Sequence, residues 1–238
     1  TSRAEYASNV IAFLQVARRT GAVVEVVEDD EDGQLSLREL RRCLDSGAGP
    51  AKLVAIPHVP TQSGLVNPAE QVGALAREYG VPFLLDACQS VGQLPVDVDR
   101  IGCDLLAATG RKFLRGPRGT GFLYVRDTML DRLEPPFLDL HAATWTAPDS
   151  YEVRDDARRF ENWETNYAGK IGLGLAVEYA LAWGIDAIEA RVTALAEGLR
   201  ERLTALDGVE VHDPGSRRCG IVTFTVDGVA AQDVQRRL

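Results

Sequence analysis

The sequence predicts an α/β fold, a mostly parallel, doubly wound sheet followed by a smaller α+β C-terminal domain. Three observations carry this. Short apolar runs end in polar or charged residues, as in Leu53-Val-Ala-Ile-Pro-His58 and Val81-Pro-Phe-Leu-Leu-Asp86, the pattern of strands buried on both faces. Segments with helical spacing alternate with those runs. After residue 206 the pattern becomes strand, strand, helix start, so the domains are read as 1–184 and 185–238.

The elements follow in order. Residues 9–19 carry apolar side chains at helical spacing and stop at Gly21, and 22–27 (Ala-Val-Val-Glu-Val-Val) reads as a strand. An acidic turn, 29–33, leads to a short helix over 37–44, and a strand is expected over 52–59. Asn67-Pro-Ala-Glu opens a helix to Tyr79 with proline in its first turn. Strands are expected from Val81, from Cys103 and over 120–126, the last able to run antiparallel. Residues 135–159 lose periodicity and gain prolines and aromatics, a stretch too long for a plain connector. Helices over 168–183 and 185–206 then cross toward the smaller domain, which opens with 209–212, 220–226 and a helix from Ala231.

Composition narrows the function. The chain has 238 residues, 45% hydrophobic and 26% charged, enough for a full core. A net charge of -9 argues against nucleic acid or an anionic membrane as partner and leaves a small molecule. No apolar run has the length of a membrane span. Cys43, Cys88, Cys103 and Cys219 show neither a CxxC pair nor zinc spacing, so no metal site is expected and the protein is read as reduced and cytoplasmic. The chain starts at Thr1 without methionine and stops at Leu238 within a helical pattern, so both domains are read as truncated.

Lys112 is one of three lysines in a chain that otherwise uses arginine. It stands between the end of the strand Cys103-Asp-Leu-Leu-Ala-Ala-Thr109 and the turn Gly116-Pro-Arg-Gly119. Lysine, unlike arginine, can lose its proton and form a Schiff base with an aldehyde cofactor. In an open α/β sheet ligands bind beyond the carboxyl ends of the strands. Thr61, Asp86, Gln89 and Lys112 are therefore expected to meet in one crevice. His58 is read as a structural strand-end residue and Cys88 as packing, while His141 lies in the long loop.

With these residues in place, the chain resembles the class V aminotransferase and cysteine desulfurase family, fold-type-I enzymes dependent on pyridoxal 5'-phosphate. The resemblance rests on Asp86-Ala-Cys-Gln-Ser-Val-Gly92, Thr109-Gly-Arg-Lys112 and Gly116-Pro-Arg-Gly119. It implies that Asp86 pairs with the cofactor's ring nitrogen and that Lys112 binds its aldehyde and then moves protons. It implies that Gln89 and Thr61 serve the phenolic oxygen and that Thr109 and Arg111 serve the phosphate. Tyr6 matches the residue that stacks on the ring, a histidine in desulfurases; a phenol stacks as well but is a poorer acid–base group near neutral pH. The stretch Arg158-Arg-Phe-Glu-Asn-Trp-Glu-Thr-Asn166 is similar to the segment that reaches the partner subunit's phosphate in a homodimer, with Thr165 as the candidate hydroxyl.

By the same resemblance a phosphate-wrapping loop would precede Thr1, and a desulfurase's nucleophilic cysteine and carboxylate-binding arginine would follow Leu238. The Arg-Lys pair before Gly-Pro-Arg-Gly is most similar to the branch containing hercynylcysteine sulfoxide lyase and related carbon–sulfur lyases. The first expectation is therefore a β-lyase acting on a cysteine conjugate or cysteine sulfoxide. The alternatives are a class V aminotransferase, an epimerase, a cysteine desulfurase, or a non-catalytic scaffold.

Overall fold

The computed structural model describes residues 1–46 and 49–238. Its centre is a four-stranded sheet in the order β1 (Val54–Pro57), β2 (Phe83–Asp86), β3 (Leu105–Thr109), β4 (Gly121–Val125). The first three strands are parallel and β4 runs antiparallel to β3. All four residues of β1 are buried, as a strand covered on both faces requires. Gly121, Phe122 and Leu123 of β4 are exposed, consistent with an edge.

Helices α1 (Ala7–Thr20) and α2 (Leu37–Ser46) precede the sheet. The predicted strand over 22–27 does not form. Val27 alone makes an isolated parallel bridge to Ser2, and Val23 and Val26 are exposed. The apolar run was real, but a strand also needs a partner along its length for its backbone groups, and here pairing stops at Thr1 and Ser2.

Helix α3 (Ala69–Glu78) starts later than the proline signal implied. Asn67 is spent elsewhere: its Nδ2 donates to the Pro57 carbonyl at 2.8 Å and its Oδ1 accepts the Leu35 N–H at 3.1 Å. The short α4 (Val98–Ile101) is capped by Asp97, whose carboxylate accepts the N–H groups of Asp99 and Arg100. The core joins these helices to the sheet through Phe83, Leu85, Val72, Ile56 and Ile101, each almost wholly buried.

Beyond α5 (Asp127–Leu130), the stretch read as aperiodic holds a hairpin, β5 (Ala143–Ala147) and β6 (Ser150–Val153), turned by Pro148-Asp149. The alternation in Tyr151-Glu-Val was too short to stand out. A single-turn 3₁₀ helix, Ala157–Phe160, leads into α6 (Tyr167–Trp183), capped by Asn166. Gly184, at φ +83°, separates α6 from α7 (Ile185–Thr204), and the two helices meet at 80°. No single helix among the described residues is long and apolar enough to cross a membrane.

The C-terminal part pairs β7 (Val209–Val211) with β8 (Phe224–Val226), antiparallel, ahead of α8 (Ala231–Arg237). It is clamped to the sheet domain by Asp213, whose side chain is buried. Its carboxylate accepts Arg200 Nε at 2.8 Å, the Gly64 N–H at 2.9 Å and the Thr223 hydroxyl at 2.6 Å. Burial alone would raise the Asp213 pKa, but these donors outweigh it and hold the group below the usual carboxylate value.

Candidate active site

Asp86 is the last residue of β2, in register with Pro57 of β1 and Ala107 of β3. Its carboxylate therefore emerges at the carboxyl edge of the parallel strands, where ligands of open α/β sheets bind. One oxygen accepts the Cys88 N–H at 2.9 Å and the other accepts Asn9 Nδ2 at 2.8 Å. Both donors are neutral. Among the described residues no cation pairs with Asp86, so its charge is left for a cationic partner.

Thr109 closes β3, and Gly110 begins the turn that presents Lys112. The turn is tied by Gly110 N–H to Thr120 O at 2.9 Å and Gly116 N–H to Gly110 O at 2.7 Å. Arg115 adopts φ +59°, a strained value for a non-glycine residue. Its guanidinium lies 5.4 Å from the centre of the Tyr179 ring on α6, which helps hold the turn.

Gly92 brings the Asp86 turn against the Lys112 turn. A Cβ there would stand 2.6 Å from Leu114 N and from Phe113 C, and the residue's φ is +94°. Only glycine permits both the approach and the backbone angle. The Lys112 ammonium then lies 6.0 Å from the centre of the Tyr6 ring, at the start of α1. Lys112 is half-buried and forms no ion pair among the described residues.

The other sequence candidates are placed as follows. Gln89 is half-buried in the turn after Asp86, its carbonyl accepting Gln93 Nε2. The Thr109 hydroxyl donates only a long hydrogen bond, 3.4 Å, to the Thr120 carbonyl, one that a better-placed ligand acceptor would displace. Arg111 is exposed beside Lys112, and Thr61 is exposed in the loop after β1. Thr165 stands half-buried before α6, its carbonyl accepting the Tyr167 N–H at 3.1 Å. Among the described residues Thr61 and Thr165 make no hydrogen bond to Asp86 or Lys112.

The Cys88 thiol is pushed up to about 12, by burial first and then by the Asp86 carboxylate, with Lys112 opposing in the other direction. It stays protonated near neutral pH and is no nucleophile. Cys103 is pushed up to about 11 and Cys219 is also raised, both chiefly by burial. Asn9 is the residue that sequence reasoning missed. Its one available signal was the spacing of Glu5 and Asn9, one turn apart at the start of a helix.

The aminotransferase class-V family model matches residues 1–238. The chain belongs to the class V aminotransferase family. A probable cysteine desulfurase of Halalkalibacterium halodurans is 32% identical over 238 residues, covering 97% of this chain and 55% of its own length. The probable cysteine desulfurase 2 of Mycobacterium leprae is 36% identical over 237 residues, covering 98% of this chain and 55% of its own. The chain thus spans just over half the length of these curated relatives.

An apo cysteine desulfurase from Thermococcus onnurineus has the same fold, with a TM-score of 0.90 at 30% identity over 98% of this chain and 58% of that one. The cystine C–S lyase C-DES, solved with its product cysteine persulfide, has a TM-score of 0.89 at 24% identity and shares the fold over 100% of this chain and 64% of its own. The fold is thus fold type I, and the family's cofactor is pyridoxal 5'-phosphate. The residues here fit that group. A carboxylate and a lysine amine that form no ion pair among the described residues, an aromatic face, and a hydroxyl held only by a long hydrogen bond come together around the carboxyl ends of β2 and β3.

Proposed function

We propose that the protein is a pyridoxal 5'-phosphate enzyme that removes sulfur from cysteine or a cysteine derivative. The observation that carries this is the joint placement of Asp86 and Lys112, each without a counter-ion among the described residues, at the carboxyl edge of β2 and β3. Bound there, the cofactor supplies an aldehyde for the amino group and a cationic ring that accepts electron density.

The chain's own residues supply the rest. Asp86 pairs with the ring nitrogen, and Tyr6 lies against the ring face. Thr109 and Arg111 bind the phosphate, the guanidinium matching it in charge and fork geometry. Gln89 and Thr61 orient the phenolic oxygen. Lys112 would hold the cofactor's aldehyde and, once free, would be placed to take the substrate's α-proton. Thr165 and the segment before α6 meet a partner subunit's site in a homodimer, and the four free cysteines accord with a reducing, cytoplasmic setting.

The named relatives favour cysteine desulfuration, which gives alanine and needs a thiolate to receive the sulfur. A second reading, a cysteine-conjugate or cysteine-sulfoxide β-lyase, is favoured by the phenol of Tyr6 in place of an imidazole.

Product analysis decides. The cofactor-loaded protein is incubated with cysteine plus a reductant, and separately with cysteine S-conjugates and sulfoxides. Alanine with sulfide establishes the desulfurase, and pyruvate with ammonia the lyase. Amino-group transfer or inversion at the α-carbon without sulfur release would overturn both.

A further inference from the structure

Asn9 lies in the first turn of α1 and spends its side-chain amide on two carboxylates. Nδ2 donates to Glu5 Oε1 at 3.0 Å and to Asp86 Oδ2 at 2.8 Å. An ionised carboxylate only accepts, so one orientation of the amide satisfies both neighbours. Turned over, it would set its own oxygen against two carboxylates. Glu5 is buried and fixed by two further donors, the Tyr6 N–H at 2.8 Å and the Thr1 hydroxyl at 2.8 Å.

We infer that Asn9 is a positioning residue for the Asp86 carboxylate, with Glu5 holding the Asn9 amide in its donating orientation. This rests on the pyridoxal-phosphate reading of Asp86 and adds to it the group that sets the carboxylate's plane. The χ2 torsion of an aspartate is broad and has no strong preference of its own. The Cys88 N–H fixes one oxygen from the β2 side, and Asn9 fixes the other from α1. Tyr6 starts the same helix, so one element places both the stacking ring and the orientation of the ring-nitrogen partner. A helix shift would disturb the two together.

The test uses the full chain, stripped of cofactor and titrated with pyridoxal 5'-phosphate, in Asn9→Ala, Asn9→Asp, Glu5→Gln and Asp86→Ala forms. The readouts are the cofactor dissociation constant, the visible band of the bound cofactor, and the melting temperature of the apoprotein. Asn9→Ala should weaken cofactor binding about ten-fold, the worth of one hydrogen bond to a charged group. Asn9→Asp, nearly isosteric, should weaken it more than alanine does, because it turns a donor into a third acceptor. A packing role would give the opposite order. Glu5→Gln, which frees the amide to turn, should weaken binding about three-fold.

Binding within about two-fold of wild type in both Asn9 variants, with Asp86→Ala impaired, overturns the inference alone. Binding unchanged in Asp86→Ala overturns the reading beneath it. If the Asn9 variants do not fold, Glu5→Gln decides: a loss supports the inference and unchanged binding overturns it.

Discussion

The Lys112 ammonium lies 6.0 Å from the centre of the Tyr6 ring, at the outer edge of cation–π range. The contact joins the turn after β3 to the start of α1. The amine and the aromatic face stand as a pair, and α1, which Tyr6 opens, also supplies the Asn9 donor to the Asp86 carboxylate.

Borohydride reduction of the cofactor-loaded protein should therefore fix the cofactor to one peptide, the one holding Lys112. Lys52 and Lys170 are the other two lysines. Lys52 precedes β1, at the amino edge of the sheet, and Lys170 lies 3.7 Å from Glu161 in an ion pair. Peptide mapping that places the label on either would remove Lys112 from the site.

Cys88 sits two residues from Asp86 with its thiol pushed up to about 12. Iodoacetamide at pH 8 should leave it unmodified while the fold is intact, because the thiolate is the reactive form. Cys88→Ala should keep cofactor binding and sulfur release within about three-fold of wild type, a cost set by packing alone. Rapid alkylation of Cys88, or abolished activity in the variant, would contradict this assignment.

How much of this could be read in the sequence follows from the range of the interactions. The placement of Asp86 and Lys112 was legible because one ends an apolar run and the other stands just past the end of the next, and strand ends in an α/β sheet share an edge. Asn9 was not, because its partner is 77 positions away and nothing local marks an amide as spoken for. The run 22–27 was over-read for the converse reason: its β-branched residues fit a strand, but a strand is made by its neighbours. The hairpin at 143–153 was hidden by its exposed aromatics, Trp145 and Tyr151, which face each other across the pair and outward rather than alternating toward a core.

His58, at the end of β1, is held down to about 4, first by burial and then by the Arg217 charge, and its Nδ1 has no hydrogen-bond partner among the described residues. The folded value lies below the ordinary 6.5, so the unfolded chain binds the proton more readily. The stabilisation is complete above pH 6.5 and is lost as pH falls toward 4. A shift of this size corresponds to about 3 kcal/mol across that window. Denaturant titrations at pH 7 and pH 4 should show the loss, and His58→Leu should flatten it by the same amount. An equal fall in the variant would show that other groups carry the acid sensitivity.

The last prediction concerns assembly. Trp163 is 59% exposed, with its backbone N–H held by Asp139 at 2.7 Å and its ring edge-on to His141 at 6.0 Å. Just beyond it, Tyr167, Ile171, Leu175 and Tyr179 recur every fourth residue of α6 and are all exposed, an apolar stripe of the kind that marks a contact surface. If a second copy covers this face in the proposed homodimer, Trp163→Ala should raise the dimer dissociation constant by about thirty-fold or more, the effect of truncating a central aromatic anchor. It should also loosen cofactor retention, because Thr165 lies two residues away on the same segment. Sedimentation across a concentration series reads the first effect and dialysis against cofactor-free buffer the second. A protein that sediments as a monomer at micromolar concentration while binding its cofactor and releasing sulfur would show that one chain builds the whole site, and Trp163 would then anchor its loop on its own subunit through Asp139 and His141.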